Sequence, residues 1–263
     1  MNSYIKSSII ILSSLLMAAT PTSHSAHIAH HSKKTKKAFR ILQAKELLGP
    51  YYHHSVVKTG EQVSNIPEFV QQEVLNSLQD QFKGEAKKLA RTIVKQSQAY
   101  ELDPIFIMAI IDHESSFNPT IKGSFGEIGL MQIKPNTAQW IAKKYHLQWK
   151  GEKSLYDPAT NVIFGTAYID YLRDRFAEHG RLYLAAYNMG VTNVNRALGK
   201  DIWPKDYPAK VMQHYVKFYG DLRNILKNKN GQKFFVADQD HGLTSSGFVF
   251  LPKEADLEDY ATN

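Results

Sequence analysis

The 263-residue sequence has no cysteine. That excludes disulfides, and it removes the side chain through which a lipid is attached at a processed N-terminus. Long apolar runs are nearly missing as well. A membrane-spanning helix needs about 20 consecutive apolar residues, whereas the uncharged stretch from Ile9 to Ala19 stops at Pro21. With Lys6 before it and Ser23, Ser25 and Ala26 after it, the segment has the pattern of an export signal over residues 1–26. An uncleaved N-terminal anchor is the other reading of that segment. Acidic charge is the minority: 25 Asp and Glu against 32 Lys and Arg give a net charge of +7. Such a surface favours anionic polymers, among them nucleic acid, phospholipid and cell wall. Export, with the periplasm as destination, removes nucleic acid from that set and leaves no stable membrane span after signal cleavage. No internal repeat is visible. One domain with extensions is the expectation from length.

What is present is mostly helical pattern. Residues 27–65 are basic and polar, with Lys33, Lys34, Lys36, Lys37 and Arg40 close together and a Gly49-Pro50 break, and they read as an arm or linker. Val70, Val74, Leu78 and Phe82 then recur every four residues, and Leu89, Ile93 and Tyr100 continue in a second helix after Gly84. Asp103-Pro104 is a helix start signal, and seven consecutive apolar residues, Ile105 to Ile111, predict a third helix buried on all faces. Gly123, Gly126 and Gly129 mark a loop or small hairpin. Pro135-Asn136-Thr137 opens another helix, Asp157-Pro158 opens a further one, Leu182 to Tyr187 form a short one ending at Gly190, and Val211 to Ile225 carry the last amphipathic pattern. Beyond Asn228 the period is lost, with Phe248-Val249-Phe250-Leu251 as a strand or docked tail. The domain plan is therefore signal 1–26, arm 27–65, helical domain 66–228 and C-terminal extension 229–263.

The chemistry concentrates where the apolar run ends, at Glu114-Ser115-Ser116-Phe117-Asn118-Pro119. A carboxyl group with apolar walls resists ionisation, which suits it to donate a proton near neutral pH. His113-Glu114 also begins like a zinc-protease helix, but that site requires a histidine where the chain has Phe117. His24, His27, His30, His31, His53 and His54 lack the Asp, Glu or Cys partners at defined spacing that mark a metal site. Two further segments accompany Glu114: Gly129-Leu130-Met131-Gln132-Ile133 and Ala186-Tyr187-Asn188-Met189-Gly190.

Together with Gly126, Pro135, Thr137-Ala138, Asn161, Gly165 and Tyr168, these segments resemble the soluble lytic murein transglycosylases, relatives of goose-type lysozyme. The resemblance runs from about Gly84 to Gly220. It implies a mainly α, lysozyme-like helical domain with a small loop or hairpin beside a cleft for peptidoglycan glycan strands. It also implies Glu114 as the catalytic residue, with Ser115, Ser124, Gln132, Tyr187 and Asn188 as substrate-binding residues. The implied reaction cleaves the bond between N-acetylmuramic acid and N-acetylglucosamine without water, leaving 1,6-anhydromuramic acid ends, and it needs no cofactor or metal. Cell-envelope assembly partners are not indicated by any motif.

The chain departs from the family's pattern at Gly123-Ser124, where serine is common at the first position, at Glu127, where alanine is common, and at Met189, where alanine follows the Tyr-Asn pair. Glu127 leaves open a hydrolytic muramidase of the same fold, with that second carboxylate holding water. A non-catalytic wall-binding scaffold is the alternative of another class. Met131 and Ile133 read as packing residues, and Asp112 as structural, since neighbouring helix positions point about 100° apart.

Overall fold

The computed structural model describes residues 36–63 and 65–230. The signal segment, the first four histidines of the histidine-rich stretch and the tail with Phe248 to Leu251 lie outside the described residues. Nine α-helices occur among the described residues: α1 (Lys36–Leu48), α2 (Ile66–Ser77), α3 (Ala86–Ala99), α4 (Pro104–Ser115), α5 (Pro135–Tyr145), α6 (Pro158–Arg175), α7 (Gly180–Met189), α8 (Val191–Leu198) and α9 (Asp206–Asn230). No strand is present among them, only isolated bridges pairing Lys122 with Ile128 and Ile128 with Ile133. The mainly helical expectation holds.

Helix α4 is the centre. Asp103 starts it by accepting the Ile105 N–H at 3.0 Å, with Pro104 in the first turn, where a missing N–H costs nothing. Every residue from Ile105 to Ile111 is wholly buried. Helix α9 packs along α4, and α3 and α2 also border it, with α3 lying in turn against α6. Burying each large apolar side chain contributes about 1.5–3 kcal/mol, so this one helix supplies a large share of the folding free energy.

Asp103 does more than cap. Its second oxygen accepts the hydroxyls of Tyr215 at 2.7 Å and Tyr219 at 2.6 Å, both on α9. Gln43 on α1 accepts the Asp103 backbone N–H. One fully buried residue thus joins three helices at the N-terminal end of α4, its carboxyl group tying α4 to α9 and its backbone N–H tying both to α1.

The expected arm is corrected for its described part. Residues 36–62 form α1 and two 3₁₀ segments, Gly49–His54 and Val56–Gln62. They bury Phe39, Ala44, Leu48, Tyr52 and Val57 in the common core. Arg40 is buried too and donates to the carbonyls of Gly60 at 2.9 Å and Val63 at 3.2 Å. Gly60 permits the approach of α9: a side-chain carbon there would lie 2.2 Å from a Tyr219 ring atom. The pattern misled because 3₁₀ turns after α1 break the 3.6-residue period, and because two of the buried positions on α1 are polar, Arg40 and Gln43. Among the described residues the helical domain therefore begins at Lys36 and not at residue 66. Helix α9 continues to Asn230, and Phe82 sits in a 3₁₀ segment, Asp80–Glu85, instead of extending α2.

Asp103→Ala removes the α4 cap and leaves two buried tyrosine hydroxyls unpaired, so a loss of about 3–5 kcal/mol is expected. Urea denaturation followed by circular dichroism measures it. A loss below about 1 kcal/mol would show that α4 and α9 are not held together through this carboxyl group.

Candidate active site

Glu114 occupies the next-to-last position of α4. The two residues after the helix, Ser116 and Phe117, have left-handed backbone angles (φ 47° and 58°), an arrangement that costs a non-glycine residue about 1–2 kcal/mol each. Burial of Phe117, which is 0% exposed, offsets that cost and turns the chain sharply away. The carboxyl group is thereby left at the end of an apolar helix, part-buried, with Tyr207 of α9 donating a hydrogen bond to its Oε1.

Burial is the main reason that the Glu114 pKa rises from 4.5 to about 7; the Tyr207 hydrogen bond opposes the rise and the negative charge of Glu127 adds to it. Tyr207 was not foreseen from sequence. It lies 93 residues from Glu114, at the start of α9, and no local pattern distinguishes it from a core tyrosine. Behind it, His113 packs edge-on at 5.0 Å between ring centroids, and burial holds the His113 pKa down to about 4, so this ring is neutral at physiological pH. Asp112, as expected, faces elsewhere: its carboxylate meets His214 Nδ1 at 2.7 Å and Lys217 Nζ at 3.6 Å, both on α9.

The segment from Ile121 to Ile133 folds over this end of α4 as a loop with two isolated bridges. Asn161 of α6, fully buried, holds it: Oδ1 accepts the Met131 N–H at 2.8 Å, while Nδ2 donates to the carbonyls of Ile128 at 2.7 Å and Leu155 at 2.8 Å. Glycine is required at both contact points. A side-chain carbon on Gly129 (φ +76°) would fall 2.4 Å from Asn161 Nδ2, and one on Gly165 would fall 2.3 Å from Met131 Sδ. Met131 and Ile133 are buried packing residues, as the sequence indicated.

Ser115, expected to bind substrate, is turned toward the loop. It is 6% exposed, and its hydroxyl lies 2.8 Å from the Leu130 carbonyl and 3.0 Å from that of Ile111. Its single proton is spent pinning the loop to α4. Tyr187 donates its hydroxyl to the Met131 carbonyl at 2.7 Å, so what it offers outward is its ring and an acceptor oxygen. Gln132, at φ 47°, donates through Nε2 to the Gly129 carbonyl at 2.8 Å. Ser124 and Asn188 are exposed, the latter near the end of α7.

Gly123 explains one departure from the family pattern. A side-chain carbon there would lie 2.5 Å from Glu127 Oε2 and 2.9 Å from Gln132 Oε1, so the bare glycine makes room for the glutamate and both side chains converge over it. Glu127 accepts the Phe125 N–H at 3.0 Å and pairs with Lys134 at 3.2 Å. Burial would raise its pKa, but these partners outweigh it and hold the carboxyl below its ordinary range. The pKa values of two carboxyl groups in one neighbourhood are thus driven apart, so that near pH 7 Glu114 still holds a proton about half the time while Glu127 is ionised.

Residues 91–209, from α3 to the first turns of α9, match the Transglycosylase SLT domain family. This part of the chain belongs to that family. The chain is 32% identical over 141 residues to the soluble lytic murein transglycosylase of Escherichia coli K12, a match covering 53% of this chain and 22% of the relative. It is 37% identical over 121 residues to the membrane-bound lytic murein transglycosylase E of Buchnera aphidicola, covering 44% of this chain and 54% of the relative. Among solved structures, the lytic transglycosylase Slt of Pseudomonas aeruginosa is 28% identical with a TM-score of 0.46, covering 51% of this chain and 24% of that one. The chain spans about a quarter of the length of the first curated relatives that it matches. Helices α1 and α2 and most of α9 lie outside the matched residues, yet they share the buried core that sets the environment of the SLT domain's Glu114.

Two substitutions should move the pH dependence in opposite directions. Tyr207→Phe removes a donor that favours the ionised carboxyl, so the alkaline limb of activity, at about pH 7 in the parent protein, should shift upward. Glu127→Gln removes a negative charge that disfavours ionisation, so the limb should shift downward. Rate–pH profiles of the two variants read the result; shifts of equal sign would contradict this electrostatic arrangement.

The same displaced pKa has a stability consequence. The folded state holds a proton on Glu114 between pH 4.5 and about 7 that the unfolded chain releases, so stability falls as pH rises through that window. Glu114→Gln escapes the loss. With allowance for partial exposure it should be more stable than the parent by about 2 kcal/mol at pH 8, and little different at pH 4, in paired denaturation curves.

Proposed function

We propose that this SLT domain cleaves the glycan strands of peptidoglycan between N-acetylmuramic acid and N-acetylglucosamine without consuming water. The observation that carries the reading is the Glu114 carboxyl, kept protonated to about pH 7 by burial and aimed by the Tyr207 hydroxyl. As acid, Glu114 gives its proton to the bridging oxygen as the glycosidic bond breaks. As base, the resulting carboxylate takes the proton of the muramyl C6 hydroxyl while that oxygen bonds to the anomeric carbon. One bond is broken, one is formed, and the proton is returned to Glu114. The product ends are 1,6-anhydromuramic acid.

Gln132, Ser124, Asn188 and the Tyr187 ring are the groups available to sugar hydroxyls and N-acetyl groups, being uncharged hydrogen-bonding or stacking partners. A hydrolytic reaction would use Glu127 as the base that holds water. Its oxygens are engaged instead by Lys134 and the Phe125 N–H, which favours the non-hydrolytic course. The reaction as written needs no metal or cofactor. The protein's place is the cell envelope, with residues 1–26 as export signal and the periplasm as destination; peptidoglycan is its proposed partner.

Mass spectrometry of muropeptides released from purified sacculi tests the reading. Wild-type protein should yield anhydro ends, and Glu114→Gln should lower the rate at least a thousandfold, in line with loss of a general acid that is also the base. Reducing ends would establish hydrolysis. Unchanged cellular phenotype with Glu114→Gln would establish a scaffold role.

A further inference from the structure

Five aromatic rings form an unbroken series that starts at the acid and ends on an exposed helix face. Tyr207, hydrogen-bonded to Glu114, lies nearly parallel to Tyr187, with centroids 6.4 Å apart and 22° between planes. Tyr187 is 5.5 Å from Tyr168, Tyr168 lies at 15° and 6.3 Å from Tyr171, and Tyr171 meets Trp140 edge to face at 4.7 Å. Exposure grows along the series: Tyr207 is 9% exposed, the three middle rings are part-buried, and Trp140 is 42% exposed. Lys144, one turn beyond Trp140 on α5, places its ammonium 5.3 Å over the Tyr171 ring.

Core packing does not account for the outer end of this series. Helix α5 buries Ala138, Ile141, Ala142 and Tyr145 against the rest of the domain, while Trp140 stays on the open side. A large indole and a cation over a phenol ring, contiguous with a catalytic centre, form a ligand surface of definite chemistry. Aromatic faces stack on the C–H faces of pyranose rings, and an ammonium complements carboxylates carried by the same polymer. Rings that follow one another without a gap fit an extended strand better than a single sugar.

We propose that Trp140, Tyr171 and Lys144 form a remote subsite for the glycan strand cleaved at Glu114, so that affinity and turnover depend on strand length. The proposal rests on the reading of the SLT domain as a peptidoglycan-cleaving enzyme. It assigns the occupant as the sugar polymer with its carboxylates, and not a protein partner.

The test uses the full chain carrying Glu114→Gln, which binds without cleaving. Purified long glycan strands and a short tetrasaccharide fragment are titrated in turn, with calorimetry giving Kd and tryptophan fluorescence reporting contact at Trp140. Long strands should bind more tightly than the fragment, and the fluorescence change they cause should vanish in Trp140→Phe. Adding Trp140→Ala should weaken strand binding about tenfold, a loss of about 1.4 kcal/mol, while fragment binding stays within twofold. Lys144→Glu, at an exposed position, should produce a strand-specific loss in the same direction and serves where Trp140→Ala does not fold. Equal affinities of parent and variants for strands, or equal losses on strands and fragment, would overturn the subsite. Anhydro products from the wild type alongside that result would leave the catalytic reading standing. No strand binding by the parent and no products from the wild type would remove both.

Discussion

The chemistry proposed for this domain depends on keeping one carboxyl group uncharged, and that depends on burying α4 along its whole length. A helix apolar on every side has no solvent face to lie on, so other helices must enclose it, and whatever side chain ends it is delivered to the rim of the core. Glu114 is that side chain. The price of holding a protonated glutamic acid there is small beside the burial of Ile105 through Ile111, and the left-handed turn after the helix prevents the chain from shielding the carboxyl further.

The two ends of α4 use polar groups in contrasting ways. At its start, Asp103 is fully buried and accepts hydrogen bonds from a backbone N–H and two tyrosines, which fixes α4 against α9. At its end, Glu114 accepts one tyrosine hydroxyl from the same α9. The register between the two helices set at Asp103 therefore also sets where Tyr207 stands relative to the acid. The 3₁₀ segment Val56–Gln62 packs against α9.

The loop over the acid shows how a family motif divides its labour. Gly129, Asn161, Gly165 and Ser115 all serve to place backbone: the glycines allow close approach, and the polar side chains satisfy carbonyl and amide groups that a strandless loop leaves unpaired. Gln132, Tyr187 and the exposed loop positions are the groups proposed to meet a ligand. Gly123 and Glu127 behave as a pair, one vacating the space that the other fills, which introduces a fixed negative charge that nudges Glu114 toward its protonated form.

Much of this was legible before any coordinates. The apolar run from Ile105 to Ile111, the Asp-Pro starts at 103 and 157 and the glycine-marked loop each rest on local rules of helix burial, capping and backbone freedom, and those rules acted as expected. The region of α1 was illegible because two of its buried positions, Arg40 and Gln43, are polar, and because the segments that follow it are 3₁₀ turns without the 3.6-residue period. The sequence by itself determined that a glutamate would end the buried helix at the rim of the core, since a helix apolar on every side must be enclosed up to its last turn. Only the tertiary structure decided that Tyr207 would aim it, that Ser115 would spend its hydroxyl on the loop, and that rings from α5, α6, α7 and α9 would line up. Those relations join residues far apart in the chain, and no local periodicity encodes a contact that exists only after the helices have packed.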